Sequence, residues 1–339
     1  MKVAIIEGIR PTLMPEGPQI EREILGAGIG VNWYGLIKSE EYTSVLRDLD
    51  AVIVRPGTPF SKEMVLSLKK ARVIVSLGVG YDHISIDTSR EKGIPVCNVP
   101  DYGTEEVADS TVTMVLAHQR KIFLFNCHSS CDSDFINWDW RIFKPITRSR
   151  QMRVGIIGLG RIGTAVALRL KAFGYEIVFY DPYIPRGVEK SLGLKRFHQK
   201  ELLLNTADIV SVHTPLTEET RGMIDERFLE LMKPRAILIN TARGGIFKNA
   251  DILFNHLKNY LEFRVGSDVW PEEPPINHHP LLDVWKNREP WLGDRLILCP
   301  HSAFYSDEAI REIRAFAAEI VLTVLSGGKP YNVVNGVNS

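Results

Sequence analysis

The sequence predicts an α/β protein of two domains, each built on a doubly wound parallel sheet. Length is one reason, since 339 residues with 45% hydrophobic content exceed the size at which one core normally divides. A second is the alternation of short β-branched runs with helical stretches through the first hundred residues: MKVAII, EREILGAG, DAVIVR, SKEMVLSLKK, RVIVSL and IPVCNV. The third is a stronger alternation from Met152. There the strands RVGIIG, EIVFYD, DIVSVH, AILINTA, RVGSDV and RLILCP are separated by helices ending at Phe173, running from near Glu189 to Leu194, starting at Glu226, and ending at Tyr260. Six strands with intervening helices require crossover connections, and those favour parallel pairing.

Between the two alternations, TEEVADSTVTMVLAHQRK (Thr104 to Lys121) has acids in its first turn and apolar residues at helical spacing, with Thr104 as the N-cap of a long helix that opens the second domain. From Cys127 to Arg150 the chain is irregular and aromatic, with Phe135, Trp138, Trp140 and Phe143, and reads as a packed surface loop. Asp307 to Leu325 forms an amphipathic helix before a polar tail.

Lysine plus arginine and aspartate plus glutamate both number 41, so formal charge is zero and no basic face for nucleic acid or anionic membrane is implied. The partner expected by default is a small molecule. The N-terminus turns polar after six residues, too short for a signal peptide, and no apolar run approaches the ~18 residues of a membrane span. The expected compartment is the cytosol. Four scattered cysteines, Cys97, Cys127, Cys131 and Cys299, argue for reduced thiols and no metal site. Adjacent His278 and His279 point apart on an extended chain and are not expected to share a metal.

Chemistry first shows at Gly158-Leu159-Gly160-Arg161-Ile162-Gly163, directly after the strand RVGII and opening a helix. In that context the first glycine permits a tight turn, the second a close backbone approach to a pyrophosphate, and the third close helix packing. The helix N-terminus adds free N–H donors and a positive dipole end. Asp181 ends EIVFYD, 18 positions after Gly163, where a carboxylate accepts from an adenosine ribose and repels a 2′-phosphate. NAD is therefore expected over NADP, although Arg186 stands nearby as a countervailing charge.

An ordered string of motifs extends over nearly the whole chain: SLGVGYDHISID, GIPVCNVP, EEVADSTV, VGIIGLGRIGTAVALRLKAFGYEIVFYDPY, HTPLTEETRGMI, ILINTARGG, SDVWPEEP and CPHSAFYS. On these the sequence resembles the D-isomer-specific 2-hydroxyacid dehydrogenases, most closely their C-terminal binding protein branch. The resemblance implies a Rossmann NAD-binding domain, residues 101–305, inserted into a flavodoxin-like substrate domain made of residues 1–100 and 306–339, with the cleft closing about hinges near Pro100 and Phe304. It implies an NAD-dependent oxidoreductase that moves hydride at C2 of a D-2-hydroxy or 2-oxo acid, in a homodimer. It also places His213, Thr214, Pro215, Thr241 and Asp268 on the cofactor beside the glycine turn.

Three residues are expected to carry the reaction. Arg243, after AILINTA, can grip a carboxylate or carbonyl oxygen with its planar fork. His301 follows RLILC and a proline, one of nine histidines but the one at the acid/base position, where an imidazole can exchange a proton near neutral pH. Glu273 matches the glutamate before proline that holds that imidazole protonated, with Glu272 as its local rival. Substrate contacts are expected from Val79 and Gly80 in the turn after RVIVSL, from Arg55 after DAVIV, and from Phe304, which replaces the tryptophan of the C-terminal binding proteins. Those proteins lack an arginine at position 55, which matches phosphoglycerate-type members. Two rival functions share the scaffold: an NAD-sensing interaction protein and a phosphite-oxidising enzyme. The segment Trp285 to Asp294 reads as a surface insertion.

Overall fold

A computed structural model describes residues 1–8, 13, 15–35, 37–131, 138–275 and 278–337. Phe135 lies outside the described residues. The chain forms two compact units, Met1–Gly103 with Tyr305–Ser339, and Thr104–Phe304.

The smaller unit holds a five-stranded parallel sheet of β1 (Lys2–Ile6), β2 (Gly30–Tyr34), β3 (Ala51–Val54), β4 (Val73–Ser76) and β5 (Val96–Cys97), in the order β2-β1-β3-β4-β5. Helices cover both faces, which is why β3 reads AVIV with every residue buried and shows no alternation of polarity. One face, with Val3, Ile5, Ile53 and Val75, packs on Ile313, Ala317, Ile320 and Val321 of the helix Asp307–Leu325. The other face, with Ala4, Ile6, Val52 and Val54, packs on Met64 and Val65 of the helix Lys62–Ser67. The returning C-terminal segment is locked in by a buried ion pair: Arg314 Nε and Nη2 donate to both oxygens of Glu21 at 2.8 Å. Strand β2 was not expected, because its GVNWY pattern carries only one buried side chain, that of Val31.

The larger unit holds seven parallel strands: β6 (Arg153–Ile157), β7 (Glu176–Tyr180), β8 (Lys195–Arg196), β9 (Ile209–Val212), β10 (Ile237–Asn240), β11 (Arg264–Ser267) and β12 (Leu296–Leu298). Their order is β12-β11-β10-β9-β6-β7-β8, so the winding reverses between β9 and β6. The extra strand over the six expected is β8, a two-residue edge too short and polar to signal itself.

Three local readings need correction. The long helix runs Thr104–Arg120, but Thr104 is inside it and its buried Oγ1 has no hydrogen-bond partner, so the hydroxyl does not cap. The stretch expected to be a loop from Cys127 contains the end of a helix, Ile122–Cys131, followed by two short 3₁₀ turns, Trp140–Ile142 and Ser149–Gln151. The segment Trp285 to Asp294 is built into the unit: Leu292 is buried in the core, Trp285 and Trp291 pack against it, and Asp294 pairs with Arg264 at 2.9 Å. Among the described residues no helix is long and apolar enough to cross a membrane.

Candidate active site

Six strand ends converge at the carboxyl edge of the seven-stranded sheet, which is where open α/β sheets hold ligands. To one side of the reversal stand the residues after β6 and β7, to the other those after β9, β10, β11 and β12.

The turn after β6 is shaped by missing side chains. Gly158 has φ 88°, and a Cβ there would lie 2.8 Å from the His213 carbonyl oxygen. A Cβ on Gly163 would come within 2.1 Å of the Gly158 carbonyl oxygen, so only glycine lets the helix Arg161–Ala172 start this close to β6. Gly160 is the N-cap of that helix and faces open space, which leaves its first N–H groups to a ligand. Asp181, at the tip of β7, ties the turn down by accepting from Leu159 N–H (Oδ2, 2.8 Å) and Tyr183 N–H (Oδ1, 2.9 Å). Its Oδ2 keeps a lone pair for a ribose hydroxyl. Arg186 is exposed.

After β9, burial pushes the His213 imidazole down to about 3, so the ring is neutral, and its Nε2 pairs with Ser211 Oγ at 2.8 Å. The adjacent Thr214 Oγ1 is buried without a hydrogen-bond partner, and Pro215 is exposed. An orphan hydroxyl beside a cradle that a single Cβ would fill fits a dinucleotide, whose polar backbone supplies the absent partner.

After β10, Asn240 is fully buried and folds the chain back, donating to the Arg243 carbonyl at 3.0 Å and accepting from Ala242 N–H at 3.0 Å. Arg243 itself is half-buried and one guanidinium nitrogen donates to the Ala242 carbonyl. Gly244 follows because a Cβ there would overlap the Trp270 carbonyl oxygen at 1.7 Å. Thr241 is buried and shares a 2.9 Å hydrogen bond with Thr111; since Thr111 gives its own proton to the Val107 carbonyl, Thr241 is the donor.

His301 and Glu273 are brought together from 28 positions apart, with His301 Nδ1 2.6 Å from Glu273 Oε2. Glu273 Oε1 accepts from Trp270 N–H at 2.9 Å, which fixes the carboxylate plane. The imidazole thus has Nδ1 engaged, leaving Nε2 for substrate. Glu273, and not its neighbour Glu272, holds the ring. The Phe304 ring stands edge-on to it, with centroids 6.4 Å apart.

His301 also carries a left-handed backbone, φ 55°, which costs a residue with a Cβ about 1–2 kcal/mol. Asp268 holds that loop. Its carbonyl accepts from His301 N–H at 2.8 Å, and its two carboxylate oxygens accept from Ser302 and Ala303 N–H at 2.8 and 2.9 Å. Burial raises the Asp268 carboxyl above the usual range, opposed by those two amides. Ser110 adds a hydrogen bond to the Ala303 carbonyl. The tethering by Asp268 and Ser110 was not foreseen. Its only sequence signal was polar residues inside EEVADSTV and at the tip of RVGSD.

In the smaller unit the strand ends are equally ordered. Arg55 follows β3, and the turn Gly78-Val79-Gly80 follows the neighbouring β4. The carbonyls of Val79 and Gly80 are held by Asn98 Nδ2 at 2.7 Å and Ser76 Oγ at 2.6 Å. A Cβ on Gly78 would meet Pro56 at 2.6 Å. His279 caps the helix Pro280–Lys286 and pairs with Asp251, while His278 faces Asp283.

Residues 112–303 match the family described as D-isomer specific 2-hydroxyacid dehydrogenase, NAD binding domain. The chain is 36% identical over 304 residues to D-3-phosphoglycerate dehydrogenase of Methanocaldococcus jannaschii, covering 90% of this chain and only 55% of that longer protein. It is 33% identical over 295 residues to glyoxylate reductase of Korarchaeum cryptofilum, covering 86% of this chain and 84% of the relative. D-Lactate dehydrogenase of Aquifex aeolicus, solved with NAD and lactic acid, superposes with a TM-score of 0.79 at 26% identity, over 95% of this chain and 96% of that one. The chain belongs to the D-isomer specific 2-hydroxyacid dehydrogenase family, and its larger unit is that family's NAD-binding domain.

Proposed function

We propose that the protein is an NAD-dependent D-2-hydroxyacid dehydrogenase, working on a small 2-hydroxy or 2-oxo acid with Arg243, Glu273 and His301 as its catalytic residues. The observation that carries this is the 2.6 Å pairing of His301 Nδ1 with Glu273 Oε2, at the same sheet edge as Arg243 and the glycine turn. Gly158, Gly160, Arg161, Ile162, Gly163, Asp181, His213, Thr214, Pro215, Thr241 and Asp268 would hold the cofactor. Bound there, NAD supplies or accepts the hydride that changes the oxidation state at C2. In reduction His301 Nε2 gives a proton to the substrate oxygen, and Glu273 neutralises the imidazolium from the other side. Arg243 holds the carbonyl and carboxylate oxygens, countering charge as it builds on the oxygen. Oxidation reverses each role. In the smaller unit Val79, Gly80 and Arg55 are assigned to the substrate, and Phe304 packs beside the catalytic ring.

The relatives named for phosphoglycerate, glyoxylate and lactate all handle short 2-oxygenated acids, which supports that substrate class. We further assign a cytoplasmic homodimer, in keeping with exposed Ile122, Phe123, Trp138 and Trp140 on one stretch of the larger unit. Light scattering should then report about twice the 38.3 kDa chain mass. The deciding experiment is turnover on a panel of straight-chain and branched 2-oxo acids with NADH and with NADPH. Reduction of at least one acid with NADH is expected. Inactivity across the panel overturns the assignment. In the same assay Asp181→Ala should lower the NADH to NADPH efficiency ratio, and an unchanged ratio removes Asp181 from the cofactor site.

A further inference from the structure

The two strands beside β6 carry loops that meet across its carboxyl end. Strands β7 and β9 flank β6, so they stand roughly 10 Å apart at ~4.8 Å per strand, with the glycine turn leaving the sheet between them. Two residues past Asp181, at the tip of β7, Tyr183 Oη donates to Glu219 Oε2 in the loop after β9. That hydrogen bond joins the two sides of the cradle at the end marked by Asp181. We propose, resting on the assignment of NAD to this cradle, that Tyr183 and Glu219 form a clasp over the adenosine half of the bound dinucleotide and slow its release.

Position is the first ground, because both feet of the clasp stand on residues assigned to the cofactor. Asp181, whose carboxylate is assigned to the adenosine ribose, accepts from Tyr183 N–H at 2.9 Å and so orients the chain that carries the ring. On the other side Thr220, next to Glu219, donates through Oγ1 to the carbonyl of Pro215 at 2.6 Å. Tyr183 is 78% exposed and Glu219 is exposed, whereas Asp181 is half-buried and Thr220 buried. The bond between the two side chains therefore lies on the solvent side of a ligand held at those feet.

Rigidity is the second ground. The Arg196 guanidinium donates to the carbonyls of Asp181 at 3.0 Å and Pro185 at 2.8 Å, and Glu189 pairs with it at 3.0 Å. In the facing loop Thr217 N–H donates to Thr220 Oγ1 at 2.8 Å. Both loops thus keep their shape by their own hydrogen bonds, and the clasp joins two exposed side chains between them. A surface contact of that kind adds little to folding stability, so its loss leaves the fold intact. Across a bound dinucleotide it has a different effect, since it must part before adenosine leaves, and preformed loops lower the cost of closing it again. The hydrogen bond to Glu219 raises the Tyr183 hydroxyl above its ordinary range, which keeps it a donor at neutral pH.

The test is stopped-flow release of NADH, chased with excess NAD and read by fluorescence. Tyr183→Phe and Glu219→Ala should each speed release by about threefold to tenfold, the range for one partly solvated hydrogen bond to a charged group, with the thermal midpoint unchanged. The double variant Tyr183→Phe with Glu219→Ala should release NADH no faster than either single variant, because one bond is broken only once. Glu219→Gln, which retains an acceptor oxygen, should keep most of the slow release. ADP-ribose, which lacks the nicotinamide, should lose affinity by the same factor in Tyr183→Phe, placing the effect on the adenosine half. Glu230→Gln, an exposed acid elsewhere on the unit, should change nothing. Unaltered release in Tyr183→Phe, additive acceleration in the double variant, or undiminished ADP-ribose affinity would overturn the clasp while leaving NAD in its cradle. A wild-type protein that binds no NADH would overturn the cofactor assignment and the clasp together.

Discussion

The glycine turn Gly158–Gly163 makes room by leaving atoms out, whereas the loop from Cys299 to Phe304 holds its shape by adding hydrogen bonds. Both follow strands of the same sheet and emerge at the same edge. In the turn, backbone approaches backbone so closely that a Cβ at Gly163 would fall 2.1 Å from a carbonyl oxygen. In the loop, an aspartate and a glutamate from the stretch after β11 and a serine from the helix Thr104–Arg120 hold the segment around one histidine, whose backbone is left-handed. The turn is a local device that sequence spacing encodes. The loop is a tertiary device that no single stretch of chain contains. Cofactor affinity should therefore fail with the turn, and proton transfer with the loop, each largely without the other.

The sharpest break between them is His301→Ala. Removal of a general acid or base typically lowers turnover by roughly 10²–10⁴. NADH affinity, measured by fluorescence titration, should stay within about a factor of three, since the cradle does not depend on the ring. A parallel collapse of NADH binding would mean that the two regions are one coupled unit.

Gly163→Ala is the converse. The forced separation of helix and strand should cost about 1–3 kcal/mol of stability, read as a lower midpoint in urea, and weaken NADH by on the order of tenfold or more. If the variant bound NADH normally, the close approach at Gly163 would not be what shapes the site.

Asp268→Asn separates tether from cofactor contact. The amide keeps one acceptor oxygen but turns a donor toward one of the Ser302 and Ala303 N–H groups, which removes a charge-assisted hydrogen bond worth about 1.5–3 kcal/mol. Turnover should fall roughly 10–100-fold, and NADH affinity by a smaller factor. Loss of affinity with turnover preserved would make Asp268 a cofactor ligand first and a tether second.

The smallest effect is expected from Glu273→Gln, which retains the shape and removes the charge. Reduction uses the protonated imidazole, and without the carboxylate beside it the imidazolium of the variant gives up its proton more easily. The alkaline limb of the reduction profile should move to lower pH. His213 should add no limb of its own, because burial holds it near 3 and neutral throughout the range. An unmoved or upward-moving limb would break the His301 and Glu273 pairing as a proton-holding device.

Much of this site was legible because its signals are local. A parallel strand covered on both faces is a short apolar run, and β1, β3, β4, β6, β9 and β10 announce themselves that way. Edge strands lack that pressure, so β2 and β8 were silent. The helix Ile122–Cys131 was hidden for a related reason: it is apolar without a periodic face, and no 3.6-residue rhythm marks it.

What the sequence by itself determined is the alternation of elements, the glycine turn with its carboxylate at the next strand tip, and the candidate reactive residues after their strands. Those depend on spacing along the chain, which folding leaves intact. Only the tertiary structure decided that Glu273 holds His301, that Asp268 anchors the loop, and that Thr241 donates to Thr111. Each is a meeting of residues distant in sequence, made possible because parallel strands bring their carboxyl ends to one edge and their amino ends to the other.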